Sequence, residues 1–253
     1  GLIGRLGLVY NITPNFGLKT LYSQAFRSAG AGEQGANSTL VLGDPGLEAE
    51  QVETIDAQLF FTSKDYQASF TAFRSRQSNL IVRSPIPNTS PVRSKYVNGG
   101  SAVFQGFEIE TKARLFKDWH WQGAYTFQSN RSGEGGNNAT LAPNHIAKIG
   151  LSYDISPSLQ LSMFDTFFSE TKVFPNALQV NPPATSYHYL TLNGNYRLDE
   201  LIGKDFAKHV TFSLYLDNLL NEKVYYPEFN RKNINTIPGS AGRSVFGELA
   251  IEF

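Results

Sequence analysis

Cysteine is absent from the 253 residues. That absence removes disulfide scaffolds, zinc–thiolate sites and thiol catalysis together. Charge is also scarce, at 17% of residues against roughly a quarter in an ordinary soluble domain. Lys plus Arg number 22 and Asp plus Glu 22, so no net basic field exists to draw in nucleic acid. Long apolar runs are missing too: no stretch reaches the roughly 18 uncharged apolar residues of a membrane-crossing helix. Gly1-Leu2-Ile3-Gly4-Arg5 lacks the basic, apolar and small-residue succession of a signal peptide. A membrane role is then open only to a β-barrel, because lipid tolerates no unpaired backbone and only helices or closed barrels satisfy it.

Catalytic signatures are equally lacking. No glycine-rich phosphate loop, nucleophile elbow or metal-spaced histidine cluster occurs, and the four histidines, His120, His145, His188 and His209, are scattered. His145 and His188 fall toward the long loops, where an ordinary surface role outweighs ligand contact. Glu108 and Glu110 share a strand face with Lys112 and Arg114, a charge ladder better suited to a wet lumen than to acid–base chemistry. The chain reads as neither an enzyme nor a cofactor protein.

What is present is a period of two. Phe107, Ile109, Thr111, Ala113 and Leu115 alternate with Glu108, Glu110, Lys112 and Arg114, and Ala147, Ile149, Leu151, Tyr153 and Ile155 with Lys148, Gly150, Ser152 and Asp154. Leu190, Leu192, Gly194 and Tyr196 alternate with Thr191, Asn193 and Asn195, and Val210, Phe212, Leu214 and Leu216 with Thr211, Ser213 and Tyr215. An aromatic content of 13% and 22 glycines suit strands separated by many turns. Eleven strands are expected, over 2–12, 16–26, 51–62, 66–81, 101–116, 119–129, 145–155, 159–171, 186–198, 209–220 and 243–253. Several exceed the soluble norm and match the roughly 9 to 11 residues that cross a bilayer at a tilt.

The connections alternate as well. Thr13-Pro14-Asn15, Ser63-Lys64-Asp65, Lys117-Asp118 and Ser156-Pro157-Ser158 are tight turns, whereas 27–50, 82–100, 130–144, 172–185 and 221–242 read as long loops. Only 199–208 departs from the series of short connections. Alternating short and long connections characterise bacterial outer-membrane barrels, with short turns on the periplasmic side. Tyr10, Phe16, Tyr66, Trp119, Trp121 and Tyr153 sit beside the short turns, as an interfacial girdle requires. A soluble β-sandwich with those aromatics in its core and a passive porin-type barrel are the competing architectures.

Eleven strands begin and end on opposite sides, while a complete bacterial single-chain barrel has an even number. The expectation is therefore the C-terminal part of a longer barrel. At roughly 23 residues per strand, these residues are about half of a barrel of about 22 strands.

Several segments carry a family resemblance. Leu21-Tyr22-Ser23-Gln24-Ala25-Phe26-Arg27 followed by Asp44-Pro45-Gly46-Leu47-Glu48-Ala49-Glu50 resembles the barrel segment of TonB-dependent receptors in which Phe-Arg precedes an Asn-Pro-x-Leu-x-x-Glu stretch, with Asp44 in place of Asn. Tyr96 to Glu110 is similar to the family's Asn-x-Gly segment ending in Gly-hydrophobic-Glu, here Gly106-Phe107-Glu108. Ala142-Pro143-Asn144-His145 resembles its Pro-x-His strand entry, Leu216 to Tyr226 its penultimate strand and Pro238 to Gly247 its last.

The resemblance implies an all-β, antiparallel transmembrane barrel in the outer membrane. It further implies active import of a ferric siderophore or similar chelate, bound by outer loops and gated by an upstream plug that engages the TonB complex; plug and TonB-contacting segment both lie outside these 253 residues. Leu249, Ile251 and the terminal Phe253 resemble the signal read by the barrel-assembly machinery. For ligand contact the expected residues are Arg27, Arg83, Arg93, Tyr96, Phe174, Tyr187, Tyr225, Tyr226 and Arg231, since Arg pairs with anionic chelates and aromatics stack on planar groups. The resemblance also disfavours haem, since haem receptors of the family tend to carry histidine between the Phe-Arg and Pro-x-Leu segments and 28–43 holds none. Refolded alone in detergent, the 253 residues are expected not to form a closed, heat-resistant barrel; heat-modifiable gel migration of this piece contradicts that.

Overall fold

A computed structural model describes residues 3–133, 142–171, 182–198, 209–226 and 239–252. It contains β1 (Arg5–Asn11), β2 (Phe16–Arg27), the short helix α1 (Ala31–Gly35), β3 (Val41–Leu42), β4 (Glu50–Thr62), β5 (Tyr66–Ile86) and β6 (Arg93–Leu115). There follow β7 (Trp119–Ser132), β8 (His145–Ser156), β9 (Leu159–Phe168), β10 (Tyr187–Arg197), β11 (His209–Asp217) and β12 (Ser244–Glu252). The strands form one sheet in the order β1-β2-β4-β5-β6-β7-β8-β9-β10-β11-β12, with β3 off this path and parallel to β6. Each sequential neighbour is thus a spatial neighbour, as in an up-and-down meander.

Three of the short turns use the same device. Thr13 Oγ1 accepts from the amides of Asn15 and Phe16, and Ser156 Oγ from those of Ser158 and Leu159, while Ser63 Oγ meets the Tyr66 amide. A hydroxyl that caps the amides of the turn replaces the ladder bonds the chain gives up there. The fourth turn is different: Phe116 takes a left-handed φ of 60° at the end of β6, a conformation uncommon for a side chain of that size.

Register carries the two-residue alternation through the sheet. Ile149 pairs with Gly123 on one side and Asp165 on the other, Leu192 with Met163 and Leu216, and Leu214 with Gly194 and Gly247. The apolar side chains therefore share one face, and they are bare: Ile149 is 50% exposed, Leu161 48%, Met163 47% and Leu249 57%. Among the described residues only Ala102, Val210 and Val224 are buried apolar side chains. A sandwich buries one face of each of two sheets in a dry core. These strands belong to a single sheet without such a core, and the sandwich alternative is set aside. On the opposite face Asn193 and Ser213 are almost wholly buried, Asn193 donates to the Leu214 carbonyl, and Asn195 donates to Asn193. Gly150 on that face lets the Phe164 ring cross the strand, since a Cβ there would stand 2.6 Å from Phe164 Cδ1.

The girdle aromatics line the turn ends of their strands. Trp119 stacks on Tyr153 with centroids 4.5 Å apart, and the Trp121 indole donates to Thr111 Oγ1. Tyr10 and Tyr66 are more than half exposed.

Two expectations are corrected. Residues 82–100 are not a long loop: β5 and β6 run on as a projecting hairpin with only 87–92 between them. Residues 27–50 are not featureless, since they hold α1 and β3. Of the expected loops over 130–144, 172–185 and 221–242, residues 134–141, 172–181 and 227–238 lie outside the described residues, as does the connection at 199–208, while 130–132 belong to β7.

The chain divides into two compact units. One comprises Gly1–Leu59, Thr71–Phe107 and Gln128–Thr140, and the other Phe60–Phe70, Glu108–Phe127 and Leu141–Phe253.

The exposed apolar face predicts asymmetric tolerance of charge. In the full-length protein folded into lipid vesicles, Ile149→Arg is expected to destabilise by about 2–4 kcal/mol and Thr166→Arg on the opposite face by far less. Chemical denaturation in vesicles measures both.

Candidate ligand-binding face

The loop end of the first unit is organised by Arg27, the last residue of β2. Its guanidinium donates in bidentate fashion to Glu50, at 2.6 and 2.7 Å, and again to Glu33 at 3.0 and 3.1 Å. Glu33 lies in α1, where it also accepts from the Gly30 amide at 2.7 Å and so caps the helix start. Glu50 opens β4 and accepts the Ile81 amide of β5. One planar fork thus fastens three elements, the geometry for which Arg is suited and Lys is not.

The rest of 28–49 lies against β6 as a flap. Asn98 makes three bonds with its amide: Oδ1 accepts from the Glu48 amide, and Nδ2 donates to the carbonyls of Glu48 and Asn79. Asn79 itself sits at a left-handed φ of 55°, where Asn is among the better-tolerated residues. Lys95 and Asp44 pair at 2.8 Å, β3 aligns Val41 with Ser94, and Arg93 donates to the Ser38 carbonyl. Arg27 holds the Glu33 carboxyl below the usual range, helped by the Gly30 amide; Lys95 and then the Gly46 amide do the same for Asp44.

The projecting hairpin presents a cation and a ring together. Arg83 donates from Nε and Nη2 to the Tyr96 hydroxyl at 3.1 and 2.7 Å, and its guanidinium carbon lies 5.1 Å from the centre of that ring. The cation and the ring are thereby held against each other. Arg93 anchors the flap through one nitrogen, and its Nε is buried without a partner.

In the second unit Tyr187 opens β10 and stacks on Phe168 at 5.0 Å. Tyr226 is 61% exposed and Tyr225 half-buried, just beyond Asn218. Asn218 is fully buried and bonds Glu222 and the Ala241 carbonyl, which fixes the chain leaving β11. The structure therefore places Arg27, Arg83, Arg93 and Tyr96 within one unit, and Tyr187, Tyr225 and Tyr226 within the other. Phe174 and Arg231 lie outside the described residues.

The histidines have local partners. His188 Nδ1 meets Asp165 at 2.8 Å, His120 meets Asp154 at 2.8 Å, and His145 meets the Tyr125 hydroxyl at 2.7 Å. Among the described residues no group of three or more His, Asp or Glu side chains is placed to hold a metal ion. Leu249 and Ile251 lie on β12, opposite Phe212 and Val210 of β11, and both are exposed; Phe253 lies outside the described residues.

Comparison with known proteins is consistent with this geometry. A family model described as TonB dependent receptor-like, beta-barrel, matches residues 1–219. The chain is 23% identical to a probable TonB-dependent receptor, BfrD, of Bordetella pertussis over 252 residues, covering 96% of this chain and 33% of that protein. Among solved structures it resembles the copper transporter OprC, with a TM-score of 0.76 and 15% identity over 99% of this chain and 39% of that one. It also resembles the ferric enterobactin receptor PfeA of Pseudomonas aeruginosa, with a TM-score of 0.75 and 17% identity over 97% of this chain and 39% of that one. The chain thus spans about a third of the length of BfrD and about two fifths of the solved receptors.

The flap's ion pairs set its response to acid. Both carboxyl groups have depressed folded-state pKa values, so their contribution is present above the ordinary carboxylate range and is lost as pH falls through the folded values. Protease protection of 28–49 is expected to hold from neutrality to about pH 4 and to fail only below it. Arg27→Ala abolishes the protection at neutral pH; unchanged cleavage in that variant contradicts the assignment.

Proposed function

The chain belongs to the TonB-dependent receptor family and is an outer-membrane protein, and from that premise we propose that it forms the C-terminal part of the barrel of an energy-dependent importer of a ferric siderophore or similar metal chelate. The remainder of the barrel and a gating plug that engages the TonB complex belong, on this reading, to sequence upstream. Substrate meets the outer loops first, and energy delivered through TonB rearranges the plug to open a path. The names of the similar structures, a copper transporter and a ferric enterobactin receptor, support a metal or its chelate as cargo.

The observation that carries the proposal is the Arg83–Tyr96 pair on the projecting hairpin. A ferric chelate with acidic or catecholate donors offers both negative charge and flat rings, and this pair answers both. Tyr187, Tyr225 and Tyr226, in the other unit, stay candidates for contact with a planar ligand on sequence grounds. Arg27 has the weaker claim, because a ligand anion there must displace Glu33 and Glu50. Phe174 and Arg231 stay candidates on sequence grounds. Leu249, Ile251 and Phe253 are proposed to guide insertion by the barrel-assembly machinery.

Uptake of radiolabelled ferric siderophores by cells carrying the full-length receptor tests the proposal. Accumulation that requires TonB is expected, and the double variant Arg83→Ala with Tyr96→Ala should weaken ligand binding by about tenfold or more, the loss of one charge-assisted contact. Absence of TonB-dependent uptake for every metal chelate offered contradicts it.

A further inference from the structure

Within the second unit, one face of β10 runs from a candidate contact at the loop end to an arginine beside the short turns. Tyr187, Tyr189, Thr191, Asn193, Asn195 and Arg197 share the parity that points away from the exposed apolar side chains. Ten residues at about 3.3 Å each, tilted by about 40°, put Arg197 about 25 Å along the wall from Tyr187. Between the two this inner face carries no charge. Register adds none from the adjoining strands, since Ser162 and Tyr215 flank Asn193 while Gln160 and Ser213 flank Asn195. The inner face of β6 and β8 is different, with Glu108, Glu110, Lys112 and Lys148 along it.

The uncharged corridor ends in a cavity of about 760 Å³, lined by Arg114, Asp154, Gln160, Asn195, Arg197 and Thr211 together with residues of the short turns. That volume falls in the range of small-molecule sites, roughly 300–1,000 Å³. Of its two carboxylates, Asp118 sits in a turn beside Lys117, and Asp154 is already satisfied. Asp154 Oδ2 meets His120 Nε2 at 2.8 Å, and Oδ1 accepts from Gln160 at 2.7 Å. Arg197 donates to the Pro157 carbonyl through one nitrogen, which holds its guanidinium at the rim and leaves further N–H donors. Arg114 is exposed, and among the described residues no hydrogen bond or ion pair engages its side chain. Two guanidiniums set among neutral amides and a hydroxyl draw an anion without enclosing it.

We propose that this cavity is an exit site for an anionic metal chelate, at which Arg114 and Arg197 receive cargo that has passed along the inner face of β9 to β11 before it enters the periplasm. The inference rests on the transport reading and adds to it a route and a last stop. A way station must bind strongly enough to draw cargo on and weakly enough to release it. Two cations diluted by Gln160, Asn195 and Thr211 meet that condition, and the neutral wall above them holds no cation that would trap the anion earlier. An acidic segment of the plug is the competing occupant of the same arginines. It predicts a different consequence of removing them, because a plug that loses its anchor leaks.

The test uses cells carrying the full-length receptor and a panel of radiolabelled ferric chelates with acidic or catecholate donors, ferric citrate and ferric enterobactin among them. Surface binding is measured in cells lacking TonB, and accumulation in cells that have it. The double variant Arg114→Gln with Arg197→Gln is expected to bind an accepted chelate as wild type does and to accumulate it about tenfold more slowly, the loss of charge-assisted contacts. Arg114→Lys with Arg197→Lys keeps both charges and is expected to keep most of the rate. Heat-modifiable migration equal to wild type establishes that the barrel is formed. Because Arg197 also ties the turn at Pro157, Arg114→Gln alone is read if the double variant does not fold, and slower accumulation is expected of it. An unchanged rate in the folded glutamine variant, or an equal loss of surface binding, overturns the exit site while wild-type uptake leaves the transport reading standing. TonB-independent entry of a large antibiotic in that variant also overturns it and assigns the arginines to the plug. Wild-type cells that accumulate no chelate of the panel contradict the transport reading itself, and the exit site falls with it.

Discussion

A strand in lipid has no water to bond its backbone, so each amide and carbonyl must find its partner on a neighbouring strand. The consequence runs through the whole sequence. Because the ladder fixes a two-residue repeat, every second side chain is committed to lipid, and its neighbours to the opposite face. Ile149, Leu161, Met163, Leu192, Leu214 and Leu249 obey the first demand, and Gln160, Ser162, Asn193, Asn195 and Ser213 the second. A soluble domain gains most of its stability from a buried apolar core. Here the described residues have almost no such core, and the exposed apolar face has solvent of its own kind to meet.

The same constraint sorts the remaining features. At the turn ends, hydroxyls of Thr13, Ser63 and Ser156 satisfy the amides that leave the ladder, with Trp119 and Tyr153 stacked beside them at the interface. At the loop ends the ladder is released from lipid, and the chain can afford irregular structure tied by side chains. Arg27 and Asn98 do that tying, each meeting several backbone or carboxylate partners at once. Asp165 and His188 mark an exception, since register puts them with Ile149 and Phe167 on the apolar face, and they lie there as a mutual pair. Pairing is the usual condition for ionisable groups at such a position.

Strand existence was legible in the sequence because the period-two pattern and the turn residues say the same thing independently. The eleven long strands lie where alternation put them, most within a few residues at each end. The hairpin extension of β5 and β6 was not legible: 82–100 carries Pro85, Pro87 and Pro91 with Gly99 and Gly100, and those residues read as loop although the ladder continues past them. Proline is tolerated there at strand ends, where a missing amide costs little. The helix α1 and the two-residue β3 are too short for any periodicity to register. For the site, the residue types were readable and their partners were not. Arg27 looked free for a ligand, because nothing local says that Glu50, 23 positions away, reaches back to it. The only signal in the sequence for Asn98 as an organiser is its place beside Gly99 and Gly100 in the family-like segment.

The central claim, that alternate side chains face lipid and a wet interior, is open to a direct measurement that the absence of cysteine makes clean. Single cysteines at consecutive positions from Thr191 to Asn195, spin-labelled in the full-length receptor in lipid vesicles, report collisions with oxygen, which concentrates in lipid, and with a water-soluble nickel chelate. The account predicts high oxygen and low nickel accessibility at positions 192 and 194, and the reverse at 191, 193 and 195. Accessibility that shows no two-residue alternation, or nickel access at Leu192 equal to that at Asn193, contradicts it.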